Sequence, residues 1–292
     1  MKIIGLVPFK NEEWIFATCL ASLKPICDEI VCIDDGSTDK SKEIALNYGC
    51  KIYDNDQLTN VYCAEHHMRT NLVQIGREMG GTHFICLDAD EALSTPFAAN
   101  AKQILQSLQP GQKISMQWLA LWKSLSAYRN DKSIWSNLFK DFIFCDNGNM
   151  KYDYKYFHVD RTPGLTTQIN TKHLPIEAGA VLHYQFSDWD RYQTKQCDYR
   201  CCELIKYPNT EPAINNKYSI TLPDHNVILK DMPIDWFITY PRPNMKMKDW
   251  RWARMIQHFD EYGIEFFEKL DIWHYEPLLK EFVRRTGRSP RL

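Results

Sequence analysis

Three carboxylates crowd four consecutive positions at Asp88, Asp90 and Glu91, interrupted only by Ala89. They follow Phe84-Ile85-Cys86-Leu87, an apolar run with the length of a buried strand. Like charges held this close oppose one another's ionisation. A divalent cation would offset that repulsion. All-oxygen donors of this kind suit Mg²⁺ or Mn²⁺, hard cations that also take diphosphate oxygens as ligands. On its own the octapeptide is equally compatible with a solvated acidic loop, so its surroundings must decide.

Those surroundings read as alternating strands and helices. Ile3–Val7 is a buried-strand run closed by Pro8, and Asn11 is placed to cap a helix over Glu12–Leu23. Glu29–Ile33 is a second strand, stopping at Asp34-Asp35-Gly36-Ser37-Thr38-Asp39. There Gly36 permits a tight turn, and Ser37 or Asp39 can cap a helix running to Tyr48. Cys50–Tyr53 reads as a short strand, Glu65–Met79 as a helix and His83–Leu87 as a strand. Such alternation predicts a mostly parallel sheet flanked by helices, an α/β fold. Ligands of these sheets bind beyond the carboxyl ends of the strands. Three polar clusters fall at those ends: Pro8–Glu12, Asp34–Asp39 and Asp88–Glu91.

Composition and missing motifs narrow the choice. The 292 residues allow one large domain or two small ones. A net charge of −2 leaves no broad footprint for nucleic acid. No GxGxxG follows the first strand and no GxxxxGK[ST] occurs, which argues against dinucleotide and P-loop cradles. The apolar start is short for a signal peptide, and no run of eighteen apolar residues suggests a membrane span. The ten cysteines form no CxxC pair and no zinc-type spacing, and are expected to be reduced thiols in a cytoplasmic protein.

Val7-Pro8-Phe9-Lys10-Asn11-Glu12, Asp34-Asp35-Gly36-Ser37-Thr38-Asp39 and Asp88-Ala89-Asp90, in this order and spacing, resemble the family-2 glycosyltransferases of the GT-A (Rossmann-like) fold. The resemblance is strong over about the first hundred residues and loose beyond. It implies a UDP- or GDP-sugar donor, a Mn²⁺ or Mg²⁺ cofactor, and inverting transfer to a glycan, lipid-linked, protein-linked or other hydroxyl acceptor. By the same resemblance Pro8, Asn11, Glu12, Asp35, Asp88 and Ala89 line the nucleotide-sugar site. Pro8 and Glu12 then lie beside the nucleoside, and Asp35 accepts a hydrogen bond from the base. Asp88 faces the ribose or the metal, and Asp90 binds the metal.

Two other readings compete. A sugar-nucleotide nucleotidyltransferase would share the sheet and the metal, but its glycine-rich loop is absent from Pro8-Phe9-Lys10-Asn11. A non-catalytic glycan-binding protein on the same fold would have no need of intact Asp35, Asp88 and Asp90.

The second half supplies the remaining candidates. Three segments are expected: residues 1–112 as the nucleotide-sugar half of the GT-A domain, 113–231 as its acceptor half, and 232–292 as a helical C-terminal extension. Lys113–Trp122 and Leu138–Phe144 read as strands, and the aromatic alternation of Tyr152–His158 as core packing or a sugar platform. Ser187 and Asp190 suggest a capping box opening a helix to Lys206. His183 ends an apolar strand, and family resemblance makes it a candidate third metal ligand beside Asp88 and Asp90. Inversion requires a carboxylate to deprotonate the acceptor. Asp160 is the first candidate for its setting between His158 and Arg161, Glu177 the second, and Asp153 the next. A basic amphipathic helix within Lys248–Arg285 either docks on its own domain or lies on a membrane surface.

Overall fold

The computed structural model describes residues 1–55, 65–153, 159–165, 167, 170–219, 222 and 226–291. These form two compact units, Met1–Gln185 with Ile228–Met245, and Phe186–Val227 with Lys246–Leu292. Residues 232–245 of the expected C-terminal segment therefore belong to the first unit. Residues 186–227 of the expected acceptor half belong to the second.

The first unit is built on a nine-stranded sheet. Strands β1 (Ile3–Phe9), β2 (Glu29–Asp34), β3 (Lys51–Asp54) and β4 (His83–Cys86) run parallel, in the order β3-β2-β1-β4. Beyond them lie β5 (Glu91–Leu93), β6 (Lys113–Ala120), β8 (Phe139–Cys145), β9 (Thr171–His173) and β10 (Val181–His183); β7 (Ala127–Arg129) pairs separately with β11 (Leu229–Asp231). Strand β8 runs antiparallel between β4 and β6, while β6 pairs parallel with both β9 and β10. The α/β class and the mostly parallel sheet are as the sequence predicts.

Burial on both faces explains why β1 and β4 read as continuous apolar runs. Ile3, Val7, Phe9 and Ile85 pack with helices α1 (Phe16–Leu23) and α4 (Thr95–Gln106). Ile4, Leu6, Phe84 and Cys86 pack on the opposite face against α3 (Glu65–Glu78). Gly76 sets how closely α3 approaches. A Cβ there would lie 2.5 Å from a ring carbon of Phe84, so only glycine lets the helix settle at this depth.

The second unit is helical: α5 (Trp189–Lys206), α6 (Glu211–Tyr218), α7 (Arg251–Tyr262) and α8 (Glu276–Thr286). Phe259, with Trp252 and Ile256 beside it, packs into the core of this unit, so the apolar face of the amphipathic segment docks on its own unit. The helix-rich tail expected over Lys248–Arg285 holds the two helices α7 and α8. Gly263, at φ +78°, ends α7 before a short 3-10 turn at Ile264–Phe267.

Three helix starts differ from expectation. Helix α1 begins at Phe16, and Asn11 caps nothing there; at φ +52° it lies outside the range of an N-cap. Helix α2 (Ser41–Asn47) opens after Lys40, with the Asp39 carboxylate accepting from the Ser41 amide at 2.9 Å. Helix α5 is capped by Asp188, which accepts from the Arg191 amide, instead of by a Ser187–Asp190 box. At α2 and α5 a neighbouring carboxylate takes the orphan amide, whereas at α1 the Phe16 amide bonds the Glu12 carbonyl, a choice that composition alone leaves open.

Candidate active site

The end of β4 turns sharply: the Glu91 amide bonds the Asp88 carbonyl at 3.0 Å. The chain then leaves as β5, antiparallel to β10, with Glu91 opposite His183. The Tyr184 amide donates to the Asp90 carbonyl at 2.9 Å and extends this pairing. Two segments ninety residues apart in sequence thus bring Asp90 to His183. Both are buried, at 5% and 2% exposure, and His183 Nε2 stands 3.8 Å from Asp90 Oδ2. That is too long for a hydrogen bond. Two ligands of one octahedral cation with bonds of about 2.1 Å stand about 3–4 Å apart. Asp90 and His183 therefore fit a shared divalent cation.

Asp88 is placed differently. One of its oxygens accepts from Arg69 at 2.6 Å and the other pairs with Arg161. Arg161 also donates to Glu91 at 2.8 and 3.2 Å, and Glu91 is fully buried. Glu91 further accepts from the Asp88 amide at 2.7 Å and from Trp118 Nε1 at 2.9 Å. Burial alone would raise the Asp88 pKa. Arg161 and Arg69 outweigh it and hold the carboxyl below its ordinary value. The Trp118 ring stacks on His183 with centroids 3.9 Å apart, and Lys140 Nζ lies 3.7 Å from the ring centroid. Burial, then the nearby Arg161, push the Lys140 pKa down to about 8.

The β1 and β2 ends make a second polar group. Asn11 Oδ1 accepts from the Thr38 amide at 2.7 Å, and the Asn11 amide donates to Ser37 Oγ at 2.9 Å. Asp34 accepts from the Ser37 amide at 2.9 Å. Asp35 is bound by Lys10 at 3.2 Å and by Asn55 Nδ2 at 2.7 Å. Glu12 accepts from Trp14 Nε1 at 2.7 Å. Pro8 lies within β1, level with Ile33 of β2, and Ala89 is buried in the core between the two acids of its turn.

Among the base candidates, Asp160, Glu177 and Asp153 are all exposed. Asp160 adjoins Arg161, whose guanidinium is anchored in the Asp88–Glu91 group, and its charge also acts on Lys113 at the start of β6. Glu177 sits in the turn before β10, where the Ala178 amide bonds the Pro175 carbonyl. Of Tyr152–His158, residues 154–158 lie outside the described residues.

Sequence reasoning passed over Arg69, Glu91, Trp118 and Lys140 as site residues. Glu91 was visible as the third acid of its cluster. The other three reach the site from α3, β6 and β8, through pairings that no local pattern announces.

Residues 6–102 match the protein family described as glycosyl transferase family 2. No curated protein matches the chain. Among solved structures, glucosyl-3-phosphoglycerate synthase from Mycobacterium tuberculosis in complex with phosphoglyceric acid is 20% identical, over 40% of this chain and 43% of that one, with TM-score 0.30. The same enzyme in complex with Mn²⁺, uridine diphosphate and glucosyl-3-phosphoglycerate gives the same values. S. aureus TarS is 14% identical over 76% of this chain and 43% of that one, with TM-score 0.40. The chain thus spans less than half the length of these structures.

Proposed function

We propose that this chain, whose residues 6–102 match glycosyl transferase family 2, transfers a sugar from a UDP- or GDP-sugar to a hydroxyl acceptor with inversion. The observation that carries this reading is the convergence of buried Asp90 and His183 at 3.8 Å beyond the strand ends. That spacing suits a Mn²⁺ or Mg²⁺ ion, with Asp90 and His183 as its protein ligands. Such an ion, when bound, supplies positive charge to the leaving diphosphate.

The chain's own residues do the rest. Asp35, steadied by Lys10 and Asn55, accepts a hydrogen bond from the base. Pro8, Asn11 and Glu12 shape the nucleoside end of the site. Asp88 orients the ribose and Ala89 keeps the turn narrow. Arg69 and Arg161 keep Asp88 ionised. Asp160 takes the acceptor proton, because the adjoining Arg161 tethers its backbone to Asp88 and Glu91. Glu177 is the alternative base.

Calorimetry of UDP and GDP with and without Mn²⁺ tests the donor site. Asp90→Ala is expected to abolish the Mn²⁺-dependent part of the affinity with the fold retained, and unchanged affinity in a folded variant sinks the assignment. Turnover with a panel of sugar nucleotides tests the base. Asp160→Asn is expected to keep donor affinity and lose roughly 10²–10⁴-fold in rate. The same loss in Glu177→Gln alone moves the role to Glu177. Release of pyrophosphate in place of nucleoside diphosphate overturns the transferase reading.

A further inference from the structure

Outside the strand-end site, one cluster in the helical unit combines three different metal-binding side chains. Asp198 and Cys202 lie one turn apart on α5, so both side chains leave the helix on the same side. His258 faces them from α7, which packs against α5. One ligand atom from each lies within 4.8 Å of the others. Asp198 and Cys202 are fully buried and His258 is 9% exposed. We propose that Asp198, Cys202 and His258 form a binding site for Zn²⁺ or a similarly borderline-soft divalent cation, which ties α5 to α7.

The donor set selects the ion. A thiolate, an imidazole and a carboxylate are all zinc ligands, whereas Mg²⁺ and Mn²⁺ favour oxygen donors. Zinc bonds of about 2.0–2.3 Å place tetrahedral ligands about 3.3–3.8 Å apart. The cluster needs only a small contraction, through side-chain torsions, to meet that spacing. A water takes the fourth position.

Arg254 serves the site instead of blocking it. It donates to Asp198 Oδ1 at 2.9 Å and also contacts Oδ2, while its guanidinium rests 4.5 Å from the Trp250 ring centroid. Each carboxylate oxygen has a second lone pair for a cation, and metal-bound carboxylates are commonly held by such outer hydrogen bonds. On binding, the Cys202 S–H bond breaks, the proton passes to solvent and the sulfur electron pair forms the metal–sulfur bond. No oxidant or reductant takes part.

Cobalt substitution reads this site directly. The full chain, stripped with a chelator, is titrated with Co²⁺ and then Zn²⁺. The expected result is one equivalent of Co²⁺ with a thiolate-to-cobalt charge-transfer band that Zn²⁺ abolishes. Zn²⁺ should also raise the melting temperature of the stripped protein. Asp90→Asn, in the strand-end site, should leave the band intact. Cys202→Ser should lose the band. If Cys202→Ser does not fold, His258→Gln, altered at the rim of the cluster, should weaken Co²⁺ binding at least tenfold. Absence of the band in the wild type, its survival in Cys202→Ser, or unchanged affinity in His258→Gln would overturn the proposal.

Discussion

The ends of β2 and β4 solve one problem in two ways. Each strand delivers clustered acids to the same edge of the sheet. At β2, Asp34 accepts from the Ser37 amide and pairs with the partly exposed Lys42 at 3.5 Å, the adjoining turn is held by the Asn11 side chain, and Asp35 is held by the Asn55 amide nitrogen and the partly exposed Lys10. At β4, Asp88 and Glu91 are satisfied by Arg69 and Arg161, both nearly buried. The difference is one of consequence. Neutral partners and solvent-exposed lysines can be lost singly at small cost, because water takes their place. A buried charge cannot lose its counter-charge so lightly, because no water is at hand to replace it.

Arg161→Met tests the charged end, with the largest expected effect. Fully buried Glu91 would lose its ion-pair partner, and chemical denaturation at neutral pH should register a loss of about 3–5 kcal/mol. A loss below 1 kcal/mol would put the two strand ends in the same class. Next comes Lys140. Its pKa near 8 in the folded chain lies below its ordinary value of 10.5. Between those values the unfolded chain holds a proton that the folded chain has released. Wild-type stability should therefore rise with pH across that window relative to Lys140→Met, by on the order of 2 kcal/mol. Paired urea titrations at neutral and alkaline pH check this, and parallel curves refute it.

The β2 end, whose cationic partners are exposed lysines, should respond less. Asn11→Ala removes the acceptor for the Thr38 amide and leaves a non-glycine residue at φ +52°, a combined cost of about 1–3 kcal/mol by denaturant midpoint. Asn11→Asp keeps an acceptor oxygen and should recover most of it. Lys10→Met, removing a partly exposed partner of Asp35, should change stability by about 0–1 kcal/mol. A larger loss would show that the β2 end also depends on charge pairing.

This contrast also marks how far the sequence could be read. Strands β1, β2 and β4 were legible because a segment buried on both faces must be apolar along its length. Their acidic ends were legible because a polar cluster after such a run has nowhere else to sit. What the Asp88–Glu91 group rests on was not. Arg69 stands on a helix and Arg161 in a loop, and only the β4–β8–β6 pairings and the depth of α3 bring them to Asp88. Asn11 was misread for a related reason. A positive φ at a residue other than glycine leaves no trace in the pattern, so a residue that bridges two loops looked like a helix cap.

The pairing of β10 with β5 has a consequence for how this chain can vary in length. His183 faces Glu91 as one rung of an antiparallel ladder only three rungs long. Neighbouring residues of a strand point to opposite faces. One residue added within Val181–His183 would turn the imidazole away and present Leu182 or its neighbour to Asp90. The same residue added to the turn at Pro175–Gly179 could be absorbed without disturbing the ladder. Homologues that keep the imidazole should therefore differ in length before β10 and not within it, and a deletion scan of residues 174–183 should divide sharply at Ala180.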